Sequence, residues 1–183
     1  MQSARRLLLP ALAICSLARA AGQLPATPAA ARLIAARPYV ATSTLGFTWD
    51  HSQAPSRRGW LLVIQADPAL VAMRQGAEPN LFAGDHLAAR AGRGNDKGAA
   101  LFVLPADVDL AASPLFFGEP ALPEAVTREA AERQSDLATE AGLSAPSSEQ
   151  VAAALAVGGT EITITSFADL REAKRDLRER LMR

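Results

Sequence analysis

The chain has 183 residues, of which 49% are hydrophobic, and its 19 basic side chains equal its 19 acidic ones. This length and composition are typical of one globular domain, or of one domain with an appendage. Beyond residue 20, no stretch reaches 18 uninterrupted apolar residues, which excludes a membrane-spanning helix there.

Residues 1–20 have the order of a secretory signal peptide. "MQSARR" is basic, "LLLPALAICSLA" is apolar but too short to span a bilayer, and small residues stand at Ala18 and Ala20. The pattern predicts cleavage after Ala20 and an exported protein, periplasmic or secreted. The alternatives are a buried N-terminal helix and a lipid anchor on Cys15, for which the preceding Ile14 is a poor match.

Removal of residues 1–20 changes both the charge and the chemistry of the chain. Three basic residues are removed, Arg5, Arg6 and Arg19, and no acidic residue is removed with them. The remaining 16 basic and 19 acidic residues give a net charge of −3. Such a chain is a poor binder of nucleic acid, because duplex affinity comes mainly from neutralised phosphates. Cys15 also leaves, and the remaining chain has no disulfide, thiolate nucleophile or cysteine ligand.

The next segment, residues 21–38, is an Ala/Pro-rich leader in this interpretation. Prolines at 25, 28 and 38 interrupt it, and "AAARLIAAR" is long enough only for a short helix.

Residues 39–118 predict a β-rich core. "LGFTWDH" alternates as a half-buried strand does, whereas "WLLVIQA" and "GAALFVLPA" are continuous apolar runs of strand length. "NLFAGDHLAA" is a weaker strand and "SPLFFGEP" a short one, and the loop "RAGRGNDKG" suits a connection between antiparallel strands. The resulting fold class is α+β: an antiparallel, sandwich-like β-sheet with helices in the C-terminal third.

Residues 119–183 change to a helical period, with one returning strand at 160–165. A first helix has Pro123 just inside its start and Gly142 just past its end. Capping boxes are predicted at Ser147 with Gln150 and at Ser166 with Asp169, and Gly158 and Gly159 are predicted to end the helix that follows Ser147. The segment is expected to pack on the same domain. The apolar faces of the first and last helices are predicted as two sets: Leu122, Val126, Ala130, Leu137 and Ala141, then Phe167, Leu170, Ala173, Leu177 and Leu181.

Both histidines of the chain, His51 and His86, follow an aspartate, Asp50 and Asp85 respectively. Imidazole and carboxylate groups together suit a divalent metal such as zinc or iron. Neighbours on a strand point to opposite faces, so a shared site would be built mainly from the two imidazoles. The competing interpretation is two histidines near turns, with the aspartates bonded to the local backbone.

Other chemical patterns are weaker. The glycines at 92, 94 and 98 precede a strand and lack the G-K-[ST] ending, which favours a hairpin loop over a phosphate loop. No G-x-S-x-G elbow occurs. The last helix interleaves acids with bases, which favours a helix packed on its own domain over one bound to a membrane or partner.

These patterns favour an exported, non-enzymatic binding or interaction protein without a cofactor, whose partner is a protein or small ligand of the cell envelope. One alternative is a metal-binding protein or metal-dependent hydrolase that uses His51 and His86. Another is an envelope assembly protein that docks through the C-terminal amphipathic helix. Membrane contact is expected only through that helix or through a lipid on Cys15.

Overall fold

A computed structural model describes residues 28–42, 58–71, 79–92, 95, 97–119 and 128–183. The strands are β1 (Ala29–Ala30), β2 (Arg32–Ala41), β3 (Arg58–Gln65), β4 (Asn80–Ala83), β5 (His86–Gly92), β6 (Ala99–Pro105), β7 (Leu115–Gly118) and β8 (Ile162–Ile164). The helices are α1 (Pro68–Val71), α2 (Arg128–Glu140), α3 (Ser148–Gly158) and α4 (Phe167–Leu181). The predicted α+β class is confirmed, and the three longest helices lie in the C-terminal third.

The strands form one sheet in the order β1-β7-β4-β5-β6-β3-β2-β8. Every neighbouring pair is antiparallel except β2 and β8, which run parallel from Tyr39 beside Ile162 to Ala41 beside Ile164. The sheet is therefore mixed rather than wholly antiparallel. Parallel neighbours need a crossover connection, and α3 lies in the chain just before β8, as such a connection requires.

The sheet curls, and this curl replaces the predicted sandwich. Phe102 on β6 and Phe117 on β7 make an edge-to-face ring contact with centroids 5.8 Å apart, although β5 and β4 lie between their strands. Strands in a sheet are about 4.8 Å apart, so a flat sheet would keep these two residues well separated. Side chains from β2 through β7 accordingly join in one inner cluster, with Val71 of α1 and Ala154 of α3 packed on it.

The outer face of the sheet carries two separate clusters, each under its own helix. Leu170, Ala173 and Leu177 of α4 are buried against β2, β3, β6 and β8. Ala131 and Ala138 of α2 are buried against Phe82 and Phe116, whose rings stack at 5.4 Å. Strand β3 contributes to both faces, which confirms that "WLLVIQA" is covered on both sides.

The predicted leader is partly wrong, because β1 and β2 occupy residues 29–30 and 32–41. Alanine-rich sequence favours a helix, but pairing with β3 and burial on both faces override that preference. Pro38 fits within β2 because the pairing with β8 starts only at Tyr39.

The segment "NLFAGDHLAA" is a hairpin rather than one strand. Gly84, at φ +59°, and Asp85 form a two-residue turn, and Ala83 pairs with His86 across it. A glycine in that left-handed conformation is typical of tight hairpins, and the Gly-Asp dipeptide carried this signal.

The C-terminal elements follow the predicted order. Both capping boxes are present, and α3 ends at the predicted Gly158–Gly159 pair. Strand β8 returns to an edge of the sheet, with Ile164 buried and Thr163 exposed. The part of the first helix from residue 121 to 127 lies outside the described residues, as do residues 1–27 and the predicted strand at 45–51.

Two helix faces differ from the prediction. On α2 the buried residues are Ala131 and Ala138, so the contact face is displaced by one residue from Ala130, Leu137 and Ala141. Small side chains let α2 approach the stacked phenylalanines closely, and the larger Leu137 stays 36% exposed. On α4, the first residue of the helix, Phe167, is 64% exposed rather than part of the buried face. No helix within the described ranges is both long and apolar enough to cross a bilayer.

Candidate functional site

The predicted metal site is only partly within the described residues. His86 begins β5 and is 32% exposed at its side chain, and its Nε2 lies 3.4 Å from Oδ1 of the neighbouring Asp85. Across the ranges that the structure describes, no three His, Cys, Asp or Glu side chains converge as a metal centre would need. His51 and Asp50 lie outside those ranges, so their pairing with His86 stays a prediction.

A different site is formed where the end of α4 meets the outer face of the sheet. We call it the α4 groove; it has a volume of about 590 Å³ and opens to the surface. Its lining comes from β2, β3, β6, the turn before β6 and the last turn of α4. The residues are Ile34, Val63, Gln65, Asn95, Lys97, Ala99, Ala100, Leu101, Arg178, Leu181 and Met182.

The floor of the α4 groove lies between two β-bulges at the same level of the sheet. Val63 of β3 pairs with Leu101 of β6, and these two buried residues form the centre of the floor. On one side β2 is bulged at Ile34, and on the other β5 is bulged just before Gly92, which pairs with Leu101. Bulges bend strands and re-aim side chains, and they are frequent beside functional sites.

The bulge in β2 explains why Ile34 reaches this groove. Leu33 packs in the inner cluster, whereas Ile34 and Ala35 both pack in the outer one. Two consecutive residues on one face are possible only because the bulge interrupts the strand alternation. A regular strand would have placed Ile34 on the opposite face from Ala35.

The turn before β6 holds Lys97 at the rim of the groove. The Asn95 side-chain oxygen accepts hydrogen bonds from the backbone N–H groups of Lys97 (3.0 Å) and Ala99 (2.9 Å). Gly98, at φ +82°, lies against the carbonyl of Ala66, where a Cβ would overlap that oxygen. The backbone under Lys97 is therefore fixed, although its side chain is exposed.

Arg178 forms the opposite rim. Its guanidinium lies against Gly92 of β5, since a Cβ placed at Gly92 would be 3.3 Å from Nη2 of Arg178. The same Cβ would be 3.4 Å from Cδ1 of Leu101. Burial and the nearby Arg178 charge both lower the pKa of Lys174, with burial the larger cause. Positive charge is therefore concentrated on this flank of α4.

The acidic residues of α4 are engaged elsewhere. Glu172 and Glu179 pair with Arg175 on the exposed face. Asp176 pairs with Arg180 and with Arg37, the buried arginine of β2, whose Nε also donates to the Thr160 carbonyl at 3.1 Å. These contacts, first of all the hydrogen bond from Arg37, lower the pKa of Asp176.

A second, smaller groove of about 400 Å³ lies between α3 and the start of β2. We call it the α3 groove, and Arg32 is the one cation among its described lining residues. It shares Ile34 with the α4 groove, and Ala153 and Val157 line it from the helix.

Comparisons with known proteins do not assign either groove. No family model, no curated protein and no solved structure matches the chain.

The sequence contained one signal for this site that the patterns above did not use. Arg178 has no acidic residue three or four positions away on either side, because those positions hold Lys174, Arg175, Leu181 and Met182. On a helix such a cation lacks the usual neighbouring carboxylate partner. No comparable sequence signal marks Ile34 or Lys97.

Proposed function

We propose that this chain is an exported, non-enzymatic binding protein whose ligand is a small molecule with an apolar body, held in the α4 groove. The observation that carries the proposal is the pair of bulges that flank the apolar floor at Val63 and Leu101. Ligand sites have volumes of roughly 300–1,000 Å³ and mostly apolar linings with few polar groups. The α4 groove, at about 590 Å³, has these properties.

The chemistry of the lining favours binding over catalysis. Among the described lining residues there is no carboxylate, imidazole, hydroxyl or thiol, the groups that most often act as acid, base or nucleophile. Lys97 is the one amine of the described lining, and its side chain is exposed to solvent.

Substituting Ala99 by Trp should fill the α4 groove and block binding. We expect the neutral dye N-phenyl-1-naphthylamine to bind the wild-type protein saturably, and its affinity to fall at least about tenfold in Ala99→Trp. The matched control is Ala153→Trp, which fills the α3 groove and should leave the titration unchanged. Fluorescence titration, with circular dichroism to confirm folding, measures both. Unchanged dye affinity in a folded Ala99→Trp protein would contradict the proposal. A loss of dye affinity in Ala153→Trp alone would place the binding site in the α3 groove instead.

Export is tested separately at the N-terminus. Every described element begins after residue 27, so cleavage after Ala20 would remove none of them. Expressed in a bacterial host, the protein should collect in the envelope or the medium with Ala21 as its first residue, read by N-terminal sequencing. Ala20→Arg should stop cleavage and Ala26→Arg should not. An intact N-terminus on cytoplasmic wild-type protein would refute the signal peptide.

A further inference from the structure

We propose that the ligand of the α4 groove is an amphipathic anion, with its negative head between Arg178 and Lys97 and its apolar tail along the floor. This inference rests on the proposed function and adds the charge of the ligand to it. Both cations line the groove, and its described lining contains no acidic residue.

The basic residues of α4 form two groups, one with carboxylate partners and one without. Arg175 and Arg180 each have a carboxylate partner. Arg171, Lys174 and Arg178, which we call the cationic row, follow one another at helix spacings of three and four. Within the described part of the chain, no member of the row takes part in an ion pair.

The row places like charges next to one another. The effect of Arg178 on the pKa of Lys174 shows that the two side chains repel. An anion bound beside Arg178 would remove part of this repulsion and would gain charge-assisted hydrogen bonds from the guanidinium. The α4 groove therefore has positive charge at its rim, without a carboxylate in its described lining, where an anionic head could bind.

The apolar floor of the groove favours a ligand whose remaining part is apolar. Val63 and Leu101 are each 3% exposed in the floor, and Leu181 and Met182 stand on the α4 side. A free inorganic anion would contact the rim alone. An alkyl chain attached to the anionic head would cover the apolar lining that is still accessible, namely the half-buried Ile34, Ala99 and Leu181 and the exposed Met182. Burial of apolar area contributes about 25 cal/mol per Å².

Displacement of the dye N-phenyl-1-naphthylamine by three ligands with the same alkyl chain tests the inference. Decanoate, decanol and decyltrimethylammonium carry a negative, a neutral and a positive head. At neutral pH we expect decanoate to displace the dye at about tenfold lower concentration than decanol, with decyltrimethylammonium weakest. The preference for decanoate should shrink in high salt, because both cations are exposed.

The variants Arg178→Gln and Lys97→Gln should each weaken the preference, and together they should bring decanoate within about twofold of decanol. Arg175→Gln is the matched control: it removes the same charge from α4 on the face paired with Glu172 and Glu179, and the preference should persist. In each variant the ratio of decanoate to decanol displacement is compared, and circular dichroism confirms the fold, which separates a charge effect from a folding defect or from a change in dye affinity.

The outcomes distinguish the two proposals. If decanoate and decanol displace the dye equally from the wild-type protein, the anionic ligand is refuted and the apolar groove stands. If the dye does not bind the wild-type protein, the proposed function fails and the inference with it. If the double variant keeps the full decanoate preference, the anion site is not formed by Arg178 and Lys97.

Discussion

Replacing Gly158 by Ala should destabilise the protein by about 3 kcal/mol, against what helix propensity predicts. Gly158 is the last residue of α3, and alanine in a helix is normally favoured over glycine by about 1 kcal/mol. Here, however, a Cβ would overlap the carbonyl oxygen of Ala36 and come within 3.0 Å of the Arg37 nitrogen. Both obstacles are backbone of β2, which is paired on both sides, so α3 itself would have to move.

Chemical denaturation measures this change, with Gly142→Ala as the matched control. Gly142, at φ +71°, has nothing within 4 Å of the position that a Cβ would occupy, so its substitution tests backbone strain alone. That strain is expected to cost about 1–2 kcal/mol. A Gly158→Ala protein as stable as the wild type would show that α3 does not approach β2 this closely.

The pair Arg37–Asp176 should respond asymmetrically to the removal of either partner. Asp176→Ala leaves the Arg37 guanidinium, 9% exposed, without its counter-ion, and should cost about 2 kcal/mol. Arg37→Met leaves behind a carboxylate that is 38% exposed and still beside Arg180, and should cost about 1 kcal/mol or less. In the double variant no charge is stranded, so its stability should be close to that of Arg37→Met. Urea unfolding of the three variants measures these changes in stability. An equal loss of stability in the two single variants would contradict the expected cost of a buried guanidinium without its counter-ion.

The same pair makes stability depend on acid pH. The folded state lowers the pKa of Asp176, so its contribution is complete above the unfolded pKa and disappears as pH falls through the folded one. Asp169, whose pKa is lowered first by the Thr165 hydroxyl, acts with the same sign. Wild-type stability should therefore fall as the pH is lowered below about 5, and more steeply than that of Arg37→Met.

Local chemistry explains which elements the sequence predicts well. The capping boxes at Ser147 and Ser166 and the stop at Gly158–Gly159 depend on neighbouring residues only, and they are present as expected. Residues 32–41 were not predicted as strand β2, because the strand is stabilised by pairing with β3 and β8. These strands are distant in the sequence, and a short segment of sequence does not show such pairing. The curl of the sheet has the same origin, since it depends on contacts between strands that are not neighbours in the sheet, such as that between Phe102 and Phe117.

The candidate site was less predictable than the fold. The α4 groove depends on two bulges at the same level of separate strands, and a bulge leaves no reliable mark in residues such as Ile34 or Ala91. The sequence pattern favoured a site at the histidines instead, because histidine is a common metal ligand and acid–base group at any position in a chain. Arg178 was an accessible signal, as a helical cation without a carboxylate neighbour, but Arg171 and Lys174 share this property and do not line the groove.

The junction between β2 and α4 also determines when this molecule can finish folding. Arg37 and Asp176 are 139 positions apart, and the outer face of β2 has no cover other than α4 and β8 among the described elements. Contacts of such long sequence separation form late and slow folding, because the intervening loop must close first. Until α4 has been synthesised, the outer apolar face of β2 and β3 would therefore stay exposed, a state prone to aggregation. The helix that shapes the candidate site is thus also the element whose packing buries this aggregation-prone face.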